Sequence, residues 1–126
     1  MTLEPVHTDA APAAIGPYSQ AVKAGDLLFC SGQIPLDPAT MEIVGDDAAA
    51  QCEQVMTNLK SVLEGAGAGL DRVARTTIFL ASMSDFAAVN EVYARHFGDH
   101  KPARACVAVK ELPKAVLVEI DCIAAL

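Results

Sequence analysis

Two charged side chains stand where charge is costly. Glu119 lies in the run Ala115–Ala124 (AVLVEIDCIA). If that run is a strand, Leu117 shares its face, and Val118 and Ile120 occupy the other. A carboxylate held among such neighbours loses hydration and needs compensation. Arg104 precedes it in Ala103–Lys110 (ARACVAVK), where period-two alternation puts Arg104 and Cys106 on one face. Two arrangements fit this guanidinium and carboxylate: an ion pair between neighbouring strands, or an anion clamp and a proton acceptor lining one pocket. Spacing alone leaves both open.

Other candidates are individually ambiguous. Asn90 falls at the helical angle of Phe86, Tyr93 and Phe97, so it is either a satisfied buried amide or a site residue on the edge of an apolar stripe. Ser31 closes a strand beside Gly32, where backbone can approach a small ligand closely. Tyr18 follows Gly16-Pro17 in a loop and can serve as a lid or simply pack. Cys106 has no histidine near it in sequence, which favours an inert thiol over a nucleophile. Cys30, Cys52, Cys106 and Cys122 contain no C-x-x-C pair, and His7, His96 and His100 form no metal-ligand spacing. No metal is expected. His96 and His100 flank a helix end, where positive charge complements the dipole and a solvent-facing role is expected.

The elements that must position these residues are legible in part. Gln20–Gly32 (QAVKAGDLLFCSG) predicts a hairpin turning at Gly25, with strands near 20–24 and 27–33. Pro35–Asp47 is a loop, and a helix starts near Asp46 or Asp47. Its stripe is Cys52, Val55, Met56, Leu59, Val62, Leu63 and Ala66, after which Gly65, Gly67 and Gly69 stop it. Val73–Ala81 is a strand. Ser84 is expected to cap a second amphipathic helix running through His96, and strands follow at Ala103–Lys110 and Ala115–Ala124. The last of these is mostly apolar on both faces and so is expected to be central. This order gives an α+β layer with helices on one side of the sheet, leaving the other face bare unless self-association covers it.

Composition narrows the function further. At 126 residues the chain fits one domain over residues 1–126, and no run approaches the ~18 uncharged apolar residues of a membrane span. Met1–Asp9 lacks the basic and apolar pattern of a targeting segment, so a cytoplasmic location is expected, with no membrane partner. Nine basic against sixteen acidic side chains give a net charge of −7, which disfavours nucleic-acid partners.

Read together, the blocks APAAIGPYSQAV (11–22), SGQIPLDP (31–38), NLKSVLEGAG (58–67), TTIFLASMSDFAAVNEVYARHF (76–97), PARACVAV (102–109), LPK (112–114) and VEID (118–121) resemble the Rid family, also called YjgF-like, and its RidA subgroup. The resemblance implies a chorismate-mutase-like α+β single domain: a mixed β-sheet with two helices packed on one face, assembled as a homotrimer with clefts between subunits. It implies hydrolysis of small 2-imino acids, such as 2-iminobutanoate and 2-iminopropanoate, to 2-keto acids and ammonia without a cofactor. Carried over by position, the cleft residues are Tyr18, Ser31, Gly32, Asn90, Arg104, Cys106 and Glu119, with Arg104 holding the substrate carboxylate and Glu119 handling water. Two positions depart from the family pattern: Met41 stands where glycine is common, and Ala105 replaces a serine on the face opposite Arg104. Two other functions use the same residues. One is a small-carboxylate-binding regulatory or chaperone-like module, and the other is an endoribonuclease.

Overall fold

In the computed structural model, which describes residues 2–126, Leu3–Val6 (β1), Ala21–Ala24 (β2) and Leu27–Gln33 (β3) form an antiparallel meander at one side of a six-stranded sheet. Met1, with which the N-terminal segment opens, lies outside the described residues. Ala24 pairs with Leu27, so the hairpin loop is Gly25-Asp26, and Gly25 alone takes a positive φ of 60°. That is the pattern of a type II′ turn. Strand β1 is absent from the elements expected on sequence. Pro5 and the charge of Glu4 hide its alternation, and an edge strand is where proline is tolerated.

Helix α1 (Ala48–Gly65) begins where the acidic pair predicts it: the Asp47 side chain accepts from the Ala50 N–H at 2.8 Å. At its other end Gly67 takes a φ of 84°, and the Ala68 N–H donates to the Leu63 carbonyl at 2.9 Å. This pair of features is a Schellman stop. Strand β4 (Val73–Leu80) leads into a 3-10 turn at Met83–Asp85 and then helix α2 (Phe86–Phe97). The cap belongs to Ser82, whose hydroxyl accepts from the Ser84 N–H, and not to Ser84 as expected. The 3-10 turn takes up the residues between that cap and the α-helix proper.

Strand β5 (Ala103–Ala108) returns parallel to β4, as a helical crossover requires. A further 3-10 turn at Pro113–Ala115 precedes β6 (Val118–Ala125). The last strand therefore starts at Val118, not Ala115. Lys114 and Ala115 both take a φ of 56°, and the Leu117 N–H is used by the Gln51 side chain at 2.7 Å.

The sheet order is β1-β2-β3-β6-β4-β5, with β6 antiparallel to both of its neighbours. Its central place is the one expected, although its open face carries Glu119 and Asp121 between apolar residues. Leu28, Cys30, Ile78, Leu80, Val118, Ile120, Cys122 and Ala124 point to one face and form the core with Val55, Met56, Leu59, Leu63, Val89 and Val92 of the helices. Both helices lie on this face. The opposite face is open, with Leu27, Phe29 and Val107 each more than 40 % exposed. Cys30 and Cys122 oppose each other across β3 and β6, a pairing that linear spacing cannot reveal. No helix is long and apolar enough to cross a membrane.

Candidate functional site

The expected site residues fall into two groups on opposite sides of the sheet. In β5 Arg104 is level with Thr76, which faces the helices; in β6 Glu119 is level with Phe79, which faces the open side. Strand β4 lies between them. Arg104 and Glu119 are thus neither on neighbouring strands nor in one pocket of one chain, which overturns the ion pair between neighbouring strands; a pocket lined by both would need a second chain. With strands about 4.8 Å apart and a rise of about 3.3 Å per residue, their Cα positions are roughly 14 Å apart, and the side chains diverge from there. The hairpin-like joining of β5 to β6 implied by linear order fails because the parallel β4–β5 pair pushes β5 to the edge.

On the helix side, Arg104 is held in a fixed direction. Its Nη1 donates to Asn90 Oδ1 at 2.6 Å, and its guanidinium carbon lies 5.0 Å from the Tyr93 ring centroid and 5.7 Å from that of Phe86. Helical spacing explains the set: Phe86, Asn90 and Tyr93 follow at four and three residues on one face of α2. The Tyr93 hydroxyl shares a buried 2.7 Å hydrogen bond with Thr76 Oγ1, so ring and strand are locked together. Asn90 is therefore neither idle nor fully buried; it turns a cation. Among the described residues Arg104 makes no ion pair and remains exposed. An open cavity of about 350 Å³ adjoins Asn90, Tyr93, Phe97, His100, Lys101 and Arg104. Cys106 lies next on the same face, and its burial pushes the thiol pKa up, against the weaker opposing pull of Arg104. It is a thiol at neutral pH, which disfavours a nucleophilic role.

On the open side, Tyr18, Ser31, Gly32, Ile34, Pro113 and Glu119 line a cleft of about 460 Å³. The register between β3 and β6 shifts between Cys30 and Gln33, and Gly32 lies within that irregularity. A β-carbon at Gly32 would fall 2.9 Å from the carboxyl carbon of Glu119 and closer still to Oε2. Glycine is what lets the carboxylate rest against the strand. Burial raises the Glu119 pKa, and the charge of Asp121 on the same face raises it further. The Ser31 hydroxyl donates to the Ser19 carbonyl at 2.6 Å, and its N–H donates to that of Gln20 at 2.9 Å. Ser31 thereby ties the strand to the loop that carries the exposed Tyr18.

Several positioning residues escape sequence reasoning. Buried Gln20 bonds to Thr8 and Pro12, and buried Asn58 donates to the carbonyls of Ile34 and Leu36, which ties the cleft residue Ile34 to helix α1. Amides within an apolar pattern give no signal of direction. The two helix-end histidines also differ from expectation: His96 pairs with Glu53 at 2.7 Å, and His100 Nε2 contacts the Val73 carbonyl at 2.7 Å, so neither simply faces solvent. Among the described residues no group of three or more His, Cys, Asp or Glu side chains converges as a metal site.

Comparison with known proteins adds a family. The model of the family described as endoribonuclease L-PSP matches residues 8–126. A RutC family protein of Pyrococcus horikoshii is 54 % identical over 121 residues, covering 96 % of each chain. Among solved structures, a protein of the conserved Rid family from Yersinia pestis, its function given as unknown, superposes with a TM-score of 0.96 at 43 % identity, covering 99 % of this chain and 100 % of that one. RidA from an Antarctic Psychrobacter superposes with a TM-score of 0.93 at 45 % identity, covering 98 % and 99 %.

Proposed function

The chain belongs to the endoribonuclease L-PSP family, which takes in proteins called RutC and Rid, and we propose that within it this protein is a RidA-type hydrolase. It converts small 2-imino acids to 2-keto acids and ammonia in the cytoplasm, at clefts between the subunits of a homotrimer. The observation that carries this is the division of the site: an oriented, unpaired Arg104 on one side of the sheet and a carboxylate of raised pKa on the other. Neither half is complete alone. A second copy packed against the open apolar face supplies the missing half, and Leu27, Phe29 and Val107 are the side chains it would cover.

The chemistry divides the same way. Arg104 grips the substrate carboxylate with its planar fork, already turned by Asn90 and the two rings. Glu119 accepts a proton from water as the water oxygen bonds to the imine carbon and passes it to the imine nitrogen, giving a carbinolamine. It then takes the carbinolamine hydroxyl proton and delivers it to nitrogen as the C–N bond breaks and the C=O bond forms, so that ammonia and the keto acid leave and the carboxylate is regenerated. A carboxylate of raised pKa is a stronger base for the first step and a usable acid for the second. Backbone groups at Gly32 and Cys106 complete the substrate's hydrogen bonds, and Tyr18 and Ser31 shape the entrance. Orientation supplies most of the rate, so no cofactor is needed.

The test is complementation in a coupled assay of keto acid release from a pyridoxal-phosphate dehydratase. Arg104→Ala alone lowers kcat/KM roughly 30- to 1000-fold, about 2–4 kcal/mol, and Glu119→Gln alone is similarly impaired. Unfolding and refolding the two variants together at 1:1 regenerates intact clefts, because each chain donates its undamaged half. Random assembly restores about a quarter of parental activity. No recovery refutes the shared cleft. Activity absent from the parent, with saturable keto acid binding, favours the binding module instead. The family's description raises RNA cleavage, which the net charge of −7 opposes; salt-sensitive RNA cleavage lost in Arg104→Ala would establish it.

A further inference from the structure

Beside the Glu119 cleft lies a second cavity, of about 320 Å³, whose walls include Ile15, Ile34, Leu36 and Met41. The two spaces share Tyr18, Gly32, Ile34 and Pro113 as common walls and so adjoin each other. A ligand whose reacting carbon sits at Glu119 projects its substituent into this cavity. Of the two amides in its wall, Gln20 and Gln33, the first is already occupied. Gln20 Nε2 donates to the carbonyls of Thr8 and Pro12 at 3.0 and 2.8 Å, and Oε1 accepts from the Thr8 N–H at 2.7 Å. Asn58 takes the carbonyls of Ile34 and Leu36 at 3.1 and 2.9 Å. The exposed Lys114 stays at the rim. An apolar guest thus meets the aliphatic surface of Ile15, Ile34, Leu36 and Met41, and the Gln20 amide keeps its own partners. For scale, a cavity of roughly 150 Å³ already admits a benzene ring.

Backbone strain marks the same place. Three described non-glycine residues have positive φ: Met41 at 61°, and Lys114 and Ala115 at 56°; the first two line this cavity. Met41 closes a tight hairpin in which Leu36 bridges Ile43, the Asp37 N–H donates to the Glu42 carbonyl at 2.9 Å, and the Met41 N–H donates to the Asp37 carbonyl at 2.7 Å. Such a left-handed turn position favours glycine, and a β-carbon there is disfavoured. At this strained position the Met41 side chain borders the cavity. A flexible, polarizable thioether suits aliphatic surface.

We propose that this cavity is the side-chain subsite of the cleft, that it selects aliphatic substituents longer than ethyl, and that Met41 determines this specificity. The proposal rests on the deaminase reading for the reacting end, but its test does not. Calorimetry compares 2-oxobutanoate with 4-methyl-2-oxopentanoate on the assembled protein, and imines of matching side chain are generated in place by an amino acid oxidase. Each added carbon strengthens binding roughly three- to fourfold, so the longer acid binds about tenfold more tightly. In Met41→Gly that preference falls below about threefold while the thermal midpoint holds or rises, since glycine relieves the turn. Met41→Ala, which keeps the strained β-carbon, loses the preference equally. Equal or weaker binding of the longer acid by the parent overturns the proposal, and so does a preference that survives both substitutions. Long-chain preference in binding with no accelerated imine hydrolysis sinks the deaminase reading and leaves the subsite standing.

Discussion

Replacing Gly32 by alanine tests whether the position of one carboxylate matters to turnover. The new β-carbon would lie 2.9 Å from the Glu119 carboxyl carbon and 3.1 Å from its Cγ. Relaxed carbon contacts are about 3.5–4.0 Å, so the carboxylate must move by the better part of an ångström. The strand itself has no reason to resist. Gly32 is not at a positive φ, and the alanine narrows the unfolded ensemble by about 0.4–1 kcal/mol. Stability therefore changes by no more than about 1 kcal/mol in either direction. Misplacing a catalytic group by about 1 Å costs on the order of 100-fold, equivalent to about 2.7 kcal/mol in the barrier. Gly32→Ala should lower kcat/KM by about that factor in the coupled dehydratase assay, with an unchanged oligomer by light scattering and a nearly parental denaturation midpoint. A folded Gly32→Ala protein retaining activity within about threefold of the parent would show that resting Glu119 against the strand is unimportant to the chemistry.

The remaining tests address charge, packing and capping. Burial and Asp121 raise the Glu119 pKa above its ordinary 4.5, so the folded state holds this proton more tightly than the unfolded one. Stability from that proton is fully present below about pH 4.5 and is lost as pH rises through the folded value. Glu119→Gln, which stays neutral, should therefore melt higher than the parent at pH 7, with the gap closing as pH falls toward 4.5; a constant gap would refute the burial argument. Tyr93→Phe keeps the ring under Arg104 but leaves the buried Thr76 hydroxyl unpaired, so about 1–3 kcal/mol should be lost by urea denaturation. Asp47→Ala removes the helix cap and should cost about 1 kcal/mol by the same measurement, without altering activity.

How much could be read in advance depended on whether a signal was local. The Asp47 cap, the Gly67 stop, the Gly25 turn and the apolar stripe of α1 all act within a few residues, and the structure places them as expected. Edge strand β1 was obscured because Pro5 interrupts its pattern, and the start of β6 was displaced by Lys114 and Ala115, whose backbone no propensity anticipates. Resemblance named the candidate site residues individually. It did not say which of them meet within a chain.

The sequence by itself determined the residue types of the site, the amphipathic helices, the central place of the last strand and the family, because composition, periodicity and motif are properties of the chain alone. Tertiary structure decided the partners. Insertion of β4 between β5 and β6 put a pair that looked adjacent on opposite faces of the sheet, and it gave Arg104 to Asn90, Phe86 and Tyr93. The irregularity at Gly32 brought Glu119 against the backbone. Strand order and side-chain approach arise from contacts between residues far apart in sequence, where the balance of packing and hydrogen bonding across the whole sheet chooses among pairings that local pattern leaves equivalent.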